Sequence, residues 1–179
     1  MLDWDADMRG HQDAIAQVAA AARSAPEARW TVPPTAGKWS PADVMMHLIL
    51  TYEFLAREQR GDAAIPLKVP RWKAWMLRRF ILPRLLAGRP IPPGVRSPRE
   101  VRPVGDRLAA AEAVKRLETI AAEWEQAMTA NHANPAARSV HPMFGALSLP
   151  TMLRFVALHT RHHCRQLERA AAGLTMHGT

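Results

Sequence analysis

Cysteine is almost absent from this chain of 179 residues, which contains only Cys164. A single thiol excludes an intramolecular disulfide and any zinc site built from several thiolates. The sequence also lacks an apolar run of the roughly 18 residues that a transmembrane helix needs. Residues 1–7 are acidic and do not resemble the basic start of a secretory signal. These absences predict a cytoplasmic protein.

Acidic residues are scarce in one segment, residues 62–104, which we call the insert. It contains ten lysines and arginines but only two acidic residues, Asp62 and Glu100. This excess equals the net charge of +8 of the whole chain, so the remainder of the sequence is neutral. The positive charge is therefore local. Because no nucleic-acid-binding motif accompanies it, a nucleic-acid partner is not favoured.

Long alternating runs rich in Val, Ile and Thr, which are typical of β-strands, are also missing. Apolar residues instead recur at helical spacing in four long segments, at about 5–23, 41–60, 106–131 and 148–173. A shorter helix is predicted at about 70–88, and a loop at 131–142. Four amphipathic helices can bury their apolar faces in a four-helix bundle. We therefore expect one all-α domain over residues 1–179, with the insert between the second and third long helices.

The second long helix has clear start and stop signals. Ser40 is a natural N-cap, Pro41 suits the first helical turn, and Asp43 stabilises the positive end of the helix dipole. Gly61 is expected to end this helix. Eight of the fifteen prolines follow in the insert, so its helix must be short. Residues 89–104 are predicted to run extended over the surface.

Three histidines are the most informative residues of the chain. His159 and His163 are four residues apart on the last helix and share its apolar face, and His47 lies on the apolar face of the second helix. A buried imidazole without a partner costs about 1–3 kcal/mol, and a shared divalent metal removes that cost. The alternative is that the pair at this spacing arose by chance and that each ring stacks, caps a helix or pairs with a carboxylate.

Three sequence motifs contain most of the histidines of the chain: Trp39-Ser40-Pro41-Ala42-Asp43-Val44-Met45-Met46-His47, His141-Pro142-Met143-Phe144-Gly145 and His159-Thr160-Arg161-His162-His163-Cys164-Arg165-Gln166. The first resembles the start of the second helix in the DinB/YfiT-like superfamily of proposed metalloenzymes. The other two resemble that superfamily's His-Pro-x-Phe-Gly turn and its final H-x-x-H-H-x-x-Q helix. The motifs occur in the family's order and span most of the chain apart from the insert.

The resemblance implies a four-helix bundle that binds a divalent metal, zinc or nickel, through His47, His159 and His163. It also implies a small-molecule substrate, because characterised relatives include transferases and isomerases that use low-molecular-weight thiols. The chain is therefore expected to be a metal-dependent enzyme that activates a thiol or a water molecule for transfer or hydrolysis. The resemblance does not identify the reaction.

Two polar residues are weaker candidates for a catalytic role. Gln166, close to His163 on the same face, is placed to orient a ligand of the metal, or it satisfies only backbone or solvent. Asp43 precedes His47 by one turn and is placed to accept the second imidazole N–H. For Asp43, a stabilising role in the first helical turn is the favoured alternative.

The remaining histidines and the cysteine are expected to lie outside the triad. His162 points toward the edge of the bundle, and Cys164 points away from its centre and behaves as a small buried apolar residue. His141 is assigned to the turn that positions the last helix. The other three are interpreted as surface or tail residues: His11, His132 and His177.

The insert admits several interpretations because it combines positive charge with Trp72, Trp75 and Phe80. It can cover the metal site and supply arginines to an anionic substrate, lie on an anionic membrane surface, or bind nucleic acid. It can also be a solvated arm that packs its tryptophans on the bundle or on a second subunit of a homodimer. The alternative function is accordingly a non-catalytic bundle that uses the insert to bind a membrane, an acidic partner or itself.

Overall fold

The computed structural model describes residues 3–62, 66–90, 97–105 and 107–174. The elements in chain order are α1 (Trp4–Ser24), α2 (Glu27–Trp30), α3 (Pro41–Gln59), α4 (Arg71–Met76), a π-helical turn (Leu77–Ile81), α5 (Leu82–Leu86), a 3-10 turn (Arg99–Val101), α6 (Ala110–His132), β1 (Arg138–His141), β2 (Gly145–Ser148) and α7 (Leu149–Ala171). The predicted all-α fold is confirmed. Within the described ranges, no helix is both long and apolar enough to cross a membrane.

The four long helices α1, α3, α6 and α7 form the bundle. Helix α1 packs against α6 and α7, and α3 packs against the same two helices. Their apolar faces meet in a core in which the side chains of Leu48, Trp124, Leu153 and Leu167 are completely buried. Burial of these faces, at about 25 cal/mol per Å² of apolar surface, is the main force that assembles the bundle.

The start of α3 is fixed by a reciprocal capping box. The Asp43 N–H donates to the Ser40 hydroxyl at 3.2 Å, and the Ser40 N–H donates to the Asp43 carboxylate at 3.0 Å. Pro41 occupies the first turn, as predicted. Gly61, just beyond the helix end, has a φ of 94°, which favours glycine. These ends set the register that turns His47 toward the bundle interior.

The predicted loop before the last helix is instead partly a β-hairpin. Strands β1 and β2 are antiparallel, with His141 opposite Gly145. The imidazole of His141 accepts the N–H groups of Met143 and Phe144 at 3.1 and 3.3 Å, which closes the turn. The sequence gives little sign of these strands because each has only four residues and few β-branched side chains. His141 therefore has the turn role that was predicted for it.

The hairpin is held to α3 by one carboxylate. Glu58 accepts hydrogen bonds from the Ser139 hydroxyl and the Val140 N–H, both at 2.5 Å. Burial raises the pKa of Glu58, although these two bonds work in the opposite direction. This contact positions the hairpin beside the last turn of α3.

The insert contains a helical segment over residues 71–86, close to the predicted 70–88. It widens into a π-helical turn that ends two residues before Pro83, whose nitrogen cannot donate to the preceding turn. Leu82 and Leu85 are buried against the bundle, whereas Trp72 and Trp75 are 67% and 57% exposed. The tryptophans therefore do not pack on the bundle, contrary to one of the interpretations above.

Two further segments differ from the predictions, one in where its helix begins and one in its burial. Helix α6 begins at Ala110 rather than near residue 106, because the backbone is extended at Ala109. Near this start, the Leu108 carbonyl accepts the indole N–H of the buried Trp30 at 2.8 Å. The segment 97–105 is not simply a surface connection, since Val101 is only 3% exposed.

Candidate metal centre

His47 projects from α3 into the end of the bundle next to the insert and is only 2% exposed. Its Nδ1 lies 2.7 Å from the carbonyl oxygen of Val101, so Nδ1 carries the proton and donates it. Its Nε2 is buried and has no hydrogen-bond partner among the described residues. The insert therefore fixes the tautomer of His47 and leaves a buried nitrogen lone pair unused.

His159 and His163 project from successive turns of α7 toward His47. Their Nε2 atoms are 3.1 Å apart. The Nδ1 atom of His163 lies 2.8 Å from the amide oxygen of Gln166 and donates to it, so the Nε2 atom of His163 carries the lone pair and faces the Nε2 atom of His159. The ring centres of His47 and His163 are 4.6 Å apart, and those of His47 and His159 are 5.5 Å apart. The structure thus brings all three predicted histidines, the triad, to one point.

Burial keeps the triad uncharged near neutral pH. It lowers the pKa of His47 to about 4, against the opposing effect of the bond to Val101. Burial also lowers the pKa of His159 and of His163 well below the ordinary value, and the neighbouring histidines lower both further. Neutral imidazoles are the form that binds a metal.

The triad fits a divalent metal. One nitrogen from each histidine lies within 4.8 Å of the others, and a tetrahedral site with three imidazole ligands needs separations of about 3.3 Å. Small rotations of the side chains therefore suffice. The unpartnered Nε2 of His47 and the two facing Nε2 atoms on α7 are what a shared cation would satisfy. Three protein ligands also leave one position open.

Trp39 covers the triad on one side. Its ring centre is 4.8 Å from that of His47 and 6.1 Å from that of His163. The tryptophan of the first motif thus packs against two triad rings, and it limits the rotation of His47.

A cavity of about 800 Å³ adjoins the triad, between the bundle and the insert. Pockets that bind small molecules measure about 300–1,000 Å³. The three histidines line it together with side chains of the hairpin and of the insert, and most of its surface is apolar. The insert therefore covers the site, which agrees with one of the interpretations made from sequence.

The two weaker candidates contact other groups. Asp43 does not accept from His47, because the Val101 carbonyl takes that proton. Its carboxylate instead completes the capping box and accepts from Arg107 at 2.9 Å, so the favoured alternative for Asp43 is correct. Gln166 orients the ring of His163 by accepting from its Nδ1.

Cys164 and His162, the neighbours of His163 in the sequence, lie outside the triad as predicted, but His162 also lines the cavity. The buried Cys164 faces α1 beside Gln17 and Ala21, and burial raises the pKa of its thiol to about 11. His162 is outside the triad but lines the cavity, with its ring centre 5.1 Å from that of His163.

His11 is the clearest error of the sequence interpretation, since it is completely buried rather than exposed. Its Nδ1 lies 2.6 Å from Glu125, and its Nε2 lies 2.6 Å from the Tyr52 hydroxyl, which in turn lies 2.8 Å from the Thr160 hydroxyl. We call these four residues the closed cluster. The spacing of His11 from Met8 and Ile15 is that of a buried helical face, so the sequence itself indicates its burial.

The prediction for His132 is confirmed, because its side chain is exposed at the end of α6. It stacks on Trp4, with ring centres 3.8 Å apart. His177 lies outside the described residues. His132 is not among the residues that form the triad or line its cavity.

The fold and the site together define a class: a four-helix-bundle protein whose three histidines fit a divalent metal. A model of the DinB superfamily matches residues 11–167. The chain therefore belongs to the DinB superfamily, as its three motifs indicated. Searches of curated proteins and of solved structures gave no significant match.

Proposed function

We propose that this chain is a metal-dependent enzyme that holds zinc or nickel through His47, His159 and His163 and acts on a small molecule. The observation that carries the proposal is the set of three neutral imidazoles that converge at one end of a large cavity. Zinc and nickel both accept imidazole ligands. When bound, such a metal supplies Lewis acidity, which lowers the pKa of a thiol or water at its open position.

The protein's own residues prepare this position. The Val101 carbonyl and the Gln166 amide orient two imidazole rings, so that their lone pairs face inward. Trp39 and the apolar cavity wall exclude bulk water from the triad, which strengthens electrostatic interactions within the site. The expected reaction is transfer to a low-molecular-weight thiol or hydrolysis.

Metal analysis tests the site directly. The protein is purified without a nickel column, loaded with zinc or nickel, and analysed for bound metal together with His163→Ala and the matched control His162→Ala. We expect about one ion per chain in the wild type and in the control, and none in His163→Ala. Absence of tightly bound metal from the loaded wild type would overturn the proposal.

Activity requires a second measurement. Metal-loaded protein is screened with low-molecular-weight thiols and electrophiles for thiol consumption, and with esters and amides for hydrolysis in the absence of a thiol. Cys164→Ala, which changes a side chain outside the cavity lining, is the control for this measurement. A reaction that the wild type and Cys164→Ala catalyse and that His163→Ala does not would identify the class. If the metal-loaded protein binds no thiol and catalyses nothing, the enzymatic part of the proposal fails while the metal site stands.

A second candidate function concerns the outer face of the insert. Trp72, Trp75 and Phe80 are 67%, 57% and 53% exposed, and residues 66–90 contain seven lysines and arginines but no acidic residue. Exposed aromatic side chains amid positive charge are typical of helices that bind anionic membranes. This charge complementarity favours a membrane containing anionic lipid as the occupant of the face.

Vesicle sedimentation tests the second candidate. We expect binding to vesicles that contain phosphatidylserine, weaker binding as salt rises, and at least about tenfold weaker binding for Trp72→Ala/Trp75→Ala. His163→Ala, which leaves this face intact, should bind as the wild type does. Equal binding to neutral phosphatidylcholine vesicles, or no binding to either, would reject the membrane as the partner.

A further inference from the structure

The cavity beside the triad has an apolar interior. The insert contributes Leu77, Ile81 and Leu85 to its wall, and α7 contributes Phe155 and Val156. Leu85 and Phe155 are each 8% exposed, and Val156 is 3% exposed. This wall offers few hydrogen-bond partners, so a strongly polar molecule such as a sugar would lose its hydration without compensation. An apolar body is what the interior accommodates.

The opening of the same cavity is cationic. Four exposed basic side chains of the insert line it: Lys68, Lys73, Arg99 and Arg102. Among the described residues, Glu58 is the one acidic side chain in the cavity lining, and Glu100 is the one that forms an ion pair with a lining cation. Both carboxylates already have protein partners. Glu58 holds the hairpin, and Glu100 pairs with Lys68 at 2.5 Å.

Two of the four cations remain available to a ligand. Lys73 and Arg99 form no ion pair within the described part of the chain, whereas Arg102 donates to the Ser97 carbonyl at 2.9 Å. An arginine and a lysine at the edge of an apolar cavity attract an anion, and the low-dielectric wall strengthens that attraction. The exposed charge therefore lies where the cavity meets solvent, and the buried apolar wall lines its interior.

We infer that this site takes an amphipathic anion: a small molecule with an apolar body and one carboxylate or phosphate. The apolar body occupies the interior between the insert and α7, and the anionic group contacts Lys73 and Arg99 at the opening. The inference names the substrate class for the proposed function and rests on it for the reaction. Binding of the molecule requires only the cavity and its cations.

Calorimetric titration with four matched probes tests the inference in metal-free protein. Decanoate and decyl phosphate combine an aliphatic chain with the two kinds of anion, decanol lacks the charge, and acetate lacks the chain. We expect decanoate or decyl phosphate to bind at least about tenfold more tightly than decanol, and acetate not to bind. Equal affinity for decanol and both anions would overturn the role of the charge, and failure of all three decyl probes would overturn the whole inference.

Two charge variants locate the anionic group. We expect Lys73→Glu/Arg99→Glu to weaken decanoate binding at least about tenfold while the affinity for decanol stays unchanged. Arg84→Glu, on the same helical segment but outside the cavity lining, is the matched control and should bind decanoate like the wild type. Unchanged decanoate binding by the double variant would contradict the assignment of Lys73 and Arg99.

A variant of the interior separates the cavity from the surface of the insert. Ile81→Asp places a carboxylate on the cavity wall and should weaken binding of all three decyl probes. Phe80→Asp changes the exposed neighbouring residue, which lies outside the cavity lining, and should leave the binding of these probes unchanged. Urea unfolding confirms that both variants are folded. If Ile81→Asp is unfolded, Val156→Ser provides the same test from α7.

The outcomes keep this inference separate from the proposed function. Decanoate binding is measured without metal, and metal content is measured without decanoate. A protein that binds zinc but no decyl probe retains its proposed function and loses the substrate class. A protein that binds decanoate but no metal retains the amphipathic ligand and loses the proposed metal chemistry.

Discussion

Two histidine clusters lie side by side in the same bundle, and the same helices build both. Helix α3 supplies Tyr52 to the closed cluster and His47 to the triad, while α7 supplies Thr160 and the adjacent His159. In the closed cluster each hydrogen-bonding group of the histidine has a protein partner. In the triad the ring nitrogens that face inward have only one another or nothing.

The closed cluster has one consistent direction of donation. A carboxylate accepts only, so His11 donates from Nδ1 to Glu125, Nε2 accepts from Tyr52, and the Tyr52 oxygen accepts from Thr160. Although burial opposes ionisation of Glu125, the bonds from His11 and Gln12 prevail and lower its pKa. Every proton in the chain of bonds is used.

The difference separates a structural histidine from a ligand. A buried imidazole with two protein partners has no lone pair to offer and contributes to stability. A buried imidazole whose Nδ1 is held by an outer partner and whose Nε2 is unpartnered is prepared for a cation. Burial alone does not distinguish the two cases, since His11 and His47 are both almost inaccessible to solvent. The number of hydrogen-bond partners of each ring distinguishes them, because His11 has two and His47 has one.

The largest expected effect comes from opening the closed cluster. Tyr52→Phe leaves both His11 Nε2 and the Thr160 hydroxyl without their partner, and each unsatisfied buried group costs about 1–3 kcal/mol. We therefore expect the free energy of unfolding, measured in urea, to fall by about 2–4 kcal/mol. Metal content should be unchanged. A variant as stable as the wild type would show that the cluster is not the closed network described above.

Metal binding should raise the free energy of unfolding of the protein through the triad, independently of the closed cluster. A ligand at about 100 times its dissociation constant raises the free energy of unfolding by about 2.7 kcal/mol. We expect zinc to produce this increment in the wild type and in Tyr52→Phe, and no increment in His47→Ala. Urea unfolding with zinc and with a chelator measures it. An equal increment in His47→Ala would place the bound zinc elsewhere.

The bundle and the triad were predictable because both depend on helical periodicity. His47, His159 and His163 each occupy a position on an apolar helical face, and caps such as Ser40 set the register of those faces. Once the helices pack, the three rings have no other direction in which to point. The motifs then supplied the family, which the match over residues 11–167 confirms.

The partners that tune the site were not predictable from periodicity. Val101 contacts His47 through a backbone carbonyl 54 positions away in the chain, and a carbonyl carries no side-chain signature. The hairpin escaped prediction because its short strands depend on Glu58 and on a turn closed by His141. The error at His11 differs, because the helical spacing of His11 from Met8 and Ile15 itself indicates burial.

An intermediate effect is expected from the residue that orients His163. Gln166→Leu removes the acceptor of the Nδ1 proton, and loss of such an outer partner weakens metal binding by about 10–100-fold. Gln12→Leu is the matched control, since Gln12 donates to Glu125 of the closed cluster at 3.0 Å. Competition with a chromogenic chelator measures both affinities. Equal weakening by the two variants would mean that the amide of Gln166 has no specific role.

The smallest expected effect is the acid sensitivity of the metal-free protein. Burial lowers the pKa of His47 from 6.5 to about 4 in the folded state, so the unfolded state binds more protons below pH 6.5. The stability that neutral His47 contributes is therefore present above that pH and is lost as the pH falls toward 4. For one such histidine the loss between about pH 7.5 and 5.5 is about 1.4 kcal/mol.

His47→Ala isolates this contribution from that of the other histidines. We expect its unfolding free energy, measured in urea with a chelator present, to fall by about 1.4 kcal/mol less than that of the wild type over the same pH range. Cys164→Ala is the control, because a thiol with a pKa of about 11 does not titrate there. If His47→Ala were as acid-sensitive as the wild type, His47 would carry its proton in the folded state. Its Nε2 would then be a donor, and the distinction between the triad and the closed cluster would fail at its central residue.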